Sequence, residues 1–172
     1  MANLNNPFGF IPVKHLNGGD CFRTETMRLA SGYATTIYNG DAVKLVSGKV
    51  ERAAATDTPV GIFVGCYYIG ANGETEFENT WEASTATKGA VDAEARVIMD
   101  KQVLFKAQFT GTPTVASIGS SFTLAPTAGA VEGRSKEGVT VTTTAGVYKL
   151  HDFLDDGVNE IGQYAVGLFL LS

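Results

Sequence analysis

Alternation, not helical periodicity, organises the hydrophobic positions of this chain. From 103 to 109, Val103, Phe105, Ala107 and Phe109 alternate with Leu104, Lys106 and Gln108. One face of an extended segment is therefore apolar and the other mixed. Short runs rich in Val, Ile, Tyr, Phe and Thr recur elsewhere, each bounded by turn residues. Asn39-Gly40 sits between runs 34–38 and 42–46, Ser47-Gly48 between 43–46 and 49–53, and Ala71-Asn72-Gly73 between 60–69 and 74–77. Pairs ending in glycine supply the positive φ angles that tight hairpins need, so three hairpins are predicted here.

The second half follows the same style. Runs 96–99 and 103–109 predict strands, 111–119 a Thr/Pro/Ser/Gly-rich loop, 140–144 a β-branched run and 147–154 another strand. The closing run 164–171 is nearly all apolar, and a strand apolar on both faces predicts a central place in a sheet or barrel. Segments 89–95 and 150–155 could each make a turn or two of helix, but no 3.6-residue period persists over ten positions. The expected fold is all-β, a compact β-barrel or β-sandwich (a jelly roll included), with little helix. An extended arm over 1–20 precedes a β-rich body over 21–172, with 111–119 the best place to subdivide it.

Composition narrows the function classes. With 172 residues, 44% of them hydrophobic, the chain can bury its own core without disulfides or metal. Charged residues make up 18% and glycines number 20, which argues against coiled coil and charged disorder. The net charge of −5 argues against a general nucleic-acid binder. No basic n-region or apolar h-region opens the sequence, so no secretory signal is expected. Run 164–171, the longest apolar one, is too short for a membrane helix. Cys21 and Cys66 lack metal or redox spacing and are expected to stay reduced in a cytoplasm.

The first twenty residues stand apart. Asn6, Pro7, Phe8, Phe10, Ile11, Pro12, Lys14 and His15 form a segment with no strand or helix pattern, held extended by its prolines. Phe8, Phe10 and Ile11 are poor residues to leave in water. Such an arm either packs across its own body or reaches a neighbouring subunit, and extended Pro-rich segments suit grooves. An arm of the second kind predicts that removing residues 2–14 leaves a folded body.

Candidate chemistry is sparse. His15 and His151 belong to no metal-binding spacing, and a structural role is expected for each. Glu74, Glu76 and Glu78 share one face of a strand, which reads as a solvated or blunted edge more than as an acid–base or calcium site. Asp155-Asp156-Gly157-Val158-Asn159-Glu160 has calcium-loop ingredients without the alternating ligand spacing, and a polar turn is expected. There is no phosphate-binding glycine motif and no nucleophile elbow. Gly133-Arg134-Ser135 resembles the Arg-Ser motif of the trimeric all-β dUTPases, whose tyrosine-containing and C-terminal Gly-rich motifs are missing. Trp81 is expected as a core or interface anchor. No metal, cofactor or catalytic set is assigned.

Over nearly its whole length the sequence resembles a family of small virion proteins. Asn6-Pro7-Phe8-Gly9-Phe10-Ile11-Pro12-Val13-Lys14-His15 through Gly19 is similar to the start of capsid decoration, or cement, proteins encoded beside the major capsid protein of tailed bacteriophages. Ala30-Ser31-Gly32-Tyr33, Tyr38-Asn39-Gly40-Asp41, Pro59-Val60-Gly61-Ile62, Val103-Leu104-Phe105-Lys106 and Gly133-Arg134-Ser135 fit in order, as does the hydrophobic end. The resemblance implies a β-rich, often trimeric, non-enzymatic protein on the outer capsid surface, bridging capsomers, with the major capsid protein as partner. No nucleic acid or membrane partner is implied. The arm would contact capsid or a neighbouring subunit. The alternatives are a tail or head-fibre module that binds a host surface and, more remotely, a trimeric nucleotide hydrolase.

Overall fold

The structure, a computed structural model, describes residues 3–131, 133–144 and 146–172. It is all-β. In chain order the strands are β1 Ile11–His15, β2 Glu25–Leu29, β3 Ala42–Val46, β4 Lys49–Arg52, β5 Gly61–Ile69, β6 Thr75–Glu78, β7 Ala93–Ile98 and β8 Val103–Gln108. There follow the short β9 Ser121–Phe122, β10 Leu124–Ala125, β11 Ala130–Val131, β12 Arg134–Ser135 and β13 Gly138–Val139, then β14 Tyr148–Phe153 and β15 Val166–Leu171. Helix among the described residues is confined to two single 3₁₀ turns, at Lys88–Ala90 and Val115–Ser117.

Two hairpins form where the turn residues predict them. Ser47 and Gly48 both take positive φ (50° and 78°) and join β3 to β4. That left-handed pair matches the twist of the flanking strands. The turn at 70–74 joins β5 to β6, with the Asn72 side chain accepting the Glu74 amide. The expected hairpin at Asn39-Gly40 does not form. Run 34–38 makes only an isolated bridge, Ile37 to Trp81, and the Gly40 amide donates to the Phe63 carbonyl instead.

Strand pairing closes a small barrel. β3 pairs with β4, β4 with β2 in parallel, β2 with β7, β7 with β5, and β5 back with β3. β6 adds to the far half of β5 and leaves an edge. The narrow interior is filled by Leu29, Val43, Val50, Phe63, Ala93, Ala95 and Val97, while Glu94 and Arg96 face solvent between them. Segment 89–95, a candidate helical turn in sequence, is therefore partly strand: its small alternating residues suit a crowded barrel wall.

A second sheet, ordered β1-β8-β15-β14-β9, encloses the other core. Both cores share one wall, because neighbouring residues of the same strands point opposite ways. Val43, Phe63 and Val97 enter the barrel, whereas Ala42, Ile62 and Ile98 pack against Phe105, Phe109, Phe122, Tyr148, Leu150 and Phe169 of the second core. β15 lies between β8 and β14, the central place its two-sided apolarity predicts. The stretch 111–119 joins β8 to β9 within this one sheet. The 140–144 run forms no strand; Gly138–Val139 pairs with β10 in its place.

Candidate functional site

The arm is docked on its own body. Asn3 donates to the Glu160 and Gln163 carbonyls, and the Asn6 amide donates to Gln108 Oε1 at 2.8 Å. Gln108, only 4% exposed, returns its Nε2 to the Leu4 and Tyr164 carbonyls. Further along, the Gly9 amide donates to the Glu137 carbonyl and the Phe10 amide to the Gly40 carbonyl. Residues 3–10 thus form a strap that ends in β1, the edge strand paired with β8.

That placement corrects two expectations. Residues 11–15 are a strand, because backbone pairing with β8 overrides the irregular appearance that Pro12 gives them; a bulge between Pro12 and Lys14 absorbs the misfit. Phe10 is not a surface contact: it is 1% exposed and stacks on Tyr148 with ring centroids 4.8 Å apart. Phe8 and Pro7 are half-buried, with Lys106 Nζ 5.9 Å from the Phe8 ring centroid. Ile11 and Pro12 are half-buried and pair with Lys106 and Phe105. Asn6 and Lys14 remain exposed, and His15 Nε2 lies 2.8 Å from Asp100 Oδ2.

Trp81 lies elsewhere, fully buried at the barrel core. Its indole N–H donates to the Tyr33 carbonyl at 3.2 Å, and Tyr68 meets the ring edge-on at 5.5 Å. It is a core anchor, since a ring wholly enclosed by its own chain has no face left for a partner. Beyond it, β6 presents an edge carrying Glu76 and Glu78. Between them Phe77, 68% exposed, leans on Tyr67 at 4.9 Å. Tyr67, Ile69 and Val91 line an adjoining groove of about 450 Å³.

Other sequence candidates resolve into scaffolding. Ser135 is fully buried and accepts the Glu137 amide, so the Gly133-Arg134-Ser135 tripeptide offers no free hydroxyl. Asp156 accepts the Val158 and Asn159 amides, which hold its carboxyl below the usual range. The segment 155–160 is a capped polar turn. Burial, aided by the charge of Glu78, pushes the Cys66 thiol up to about 12 and keeps it inert. Among the described residues no group of three or more His, Cys, Asp or Glu side chains could hold a metal ion.

Sequence reasoning missed Gln108 and the buried acids Asp41 and Glu137, which share the partly exposed Arg52. Gln108 sits at a polar position of an alternating strand, a weak hint. Asp41 follows Asn-Gly and looks like a turn residue; Glu137 lies 85 positions from Arg52, a separation that carries no local pattern.

No family model and no curated protein matches the chain. Among solved structures, the C-terminal fragment of gene product 12 of bacteriophage phi29 superposes with a TM-score of 0.37 at 12% identity, over 87% of this chain and 99% of that one. A superposition that loose assigns this chain no role.

Proposed function

We propose that this is a structural protein of a phage particle: a capsid decoration protein that binds the outer face of the major capsid protein shell as a homotrimer and bridges capsomers. It acts by protein contact, without catalysis or cofactor. The observation that carries this reading is the surface position of the segment with the family-like sequence. Leu4 is 83% exposed on the strap, and Asn6 and Lys14 are exposed beside it. A strap already ordered by Gln108 and Asn3 loses little conformational entropy when a partner covers it. The apolar ledge of Phe77, Ile69 and Val91 supports the same reading, because large apolar side chains held in water on a rigid body suit protein contacts. Repetition of one site over a symmetric shell turns modest contacts into firm attachment. The charge of −5 keeps free copies soluble and discourages binding to packaged DNA.

Co-sedimentation with expanded capsids tests the proposal. Wild type is expected to pellet with the particles, and Leu4→Asp combined with Lys14→Glu to stay in solution with an unchanged melting temperature. Wild type that fails to pellet, or labelled protein imaged only on tails, overturns it.

A further inference from the structure

Beneath the strap two acids share one base. Asp41 and Glu137 are both fully buried. Arg52 Nε lies 3.0 Å from Glu137 Oε1 and 3.3 Å from Asp41 Oδ2, and its Nη2 lies 2.9 Å from the same Glu137 oxygen. Glu137 Oε2 accepts the Ala42 amide at 2.9 Å, and Asp41 Oδ2 accepts the Tyr38 amide at 2.8 Å. From β14 comes Tyr148, whose hydroxyl is buried without a hydrogen-bond partner. The Tyr33 hydroxyl accepts the Arg52 amide. Burial, with the charges of Glu137 and Asp57, holds the Tyr148 phenol well above its usual range, and Asp57 is itself ion-paired with Lys44 at 2.9 Å. Lys136 lines the hollow beside Asn5–Pro7 on the solvent side. The strap itself brings no charge to the cluster, only Phe10 on Tyr148 and the amides of Gly9 and Phe10.

We infer that this cluster is a proton-controlled latch for the N-terminal strap. With one carboxyl protonated, Gly9 and Phe10 stay clamped between Gly40 and Glu137; with both ionised, the clamp loosens and the strap lifts. One guanidinium balances one carboxylate, and a second buried anion beside the first repels it. Moving 40–41 away from 135–137 relieves that repulsion, and those are the two jaws that hold the strap. The fit is close: Gly9 has φ +73°, and a Cβ there would meet Ser135 Cβ at 2.6 Å and the Gly40 carbonyl oxygen at 2.9 Å. Small displacements of either jaw therefore reach the strap directly. Burial, reinforced by the charge of Asp41, pushes the Glu137 carboxyl up to about 8, which places the transition in mildly alkaline solution. The latch does not depend on the capsid reading.

Hydrogen exchange on the full-length protein, corrected for the intrinsic pH dependence of amides, tests it. Between about pH 6.5 and about pH 9.5, protection of peptides covering 3–12 is expected to fall at least about tenfold and to end well below that of peptides covering β2, which bonds only to β4 and β7. Glu137→Gln, and separately Asp41→Asn, should leave strap protection flat across that range. Constant strap protection in wild type, an equal fall in the variants, or strap protection that stays level with that of β2 throughout overturns the latch. Should both variants fail to fold, the wild-type contrast between strap and β2 still decides.

Discussion

The two cores of this protein are built on different plans. The barrel core is made of small residues around a few large ones, with Ala93, Ala95 and Val97 on one strand and Trp81 and Ile37 entering from loops. The second core is aromatic: Phe109 meets Phe122 at 5.2 Å and Phe169 at 5.1 Å, and Phe10 stacks on Tyr148. Curvature explains the difference. A five-stranded barrel accommodates few large side chains, here Leu29 and Phe63 among Ala and Val, whereas the space between a sheet and the barrel's outer wall takes many rings. The plans differ in connectivity too. Barrel strands come from one stretch, 25–98, whereas the second sheet unites β1, β8 and β15 from the two ends and the middle. The aromatic core therefore depends on the chain's ends being in place.

The sharpest way to break the comparison is at the N-terminus. Removal of residues 2–14 takes away Phe10 and most of β1, so it is expected to abolish cooperative unfolding of the second core, read by near-ultraviolet circular dichroism. This reverses the expectation of a folded body that a free arm implied. Phe109→Ala should cost about 3–5 kcal/mol in urea unfolding, because three ring neighbours cannot all close the void.

Acidity separates the cores next. The folded-state pKa of Glu137 is raised from 4.5 to about 8, so the folded chain holds a proton that the unfolded chain releases. The stability this group contributes is then fully present below about pH 4.5 and is lost progressively as pH rises to about 8, roughly 5 kcal/mol in all. Asp41, raised chiefly by burial, acts in the same sense. Denaturant titrations across this range should show the decline in wild type and a flatter profile in Glu137→Gln.

The barrel is sharpened by the opposite substitution. Ala95→Leu should cost about 1–3 kcal/mol in the same unfolding measurement by overpacking a space already full. Smallest of all is Phe77→Ser, which changes unfolding free energy by no more than about 0.5 kcal/mol since the ring stands in water. Its expected effect is on co-sedimentation with capsids.

Much of the fold was legible in particular residues. Ser47-Gly48 and Asn72-Gly73 fixed two hairpins, the alternation from 103 to 109 named the apolar face of β8, and the two-sided run ending at Leu171 announced a central strand. Where local pattern competed with distant partners, it lost. Asn39-Gly40 has the residues of a hairpin, yet Gly40 bonds to Phe63 and Phe10 instead. The candidate site was legible as a segment and not as a conformation: the sequence singled out 6–15, while its docking rests on Gln108 and Glu137, both far away in the chain.

By itself, then, the sequence determined what depends on neighbouring residues: extended backbone, turn positions, strand faces, and a chain able to form its own core. Tertiary structure alone decided barrel closure, the burial of Phe10 and Trp81, and the sharing of Arg52 by two acids. Those features arise from contacts between residues tens of positions apart, where packing volume and desolvation, not local propensity, set the free energy.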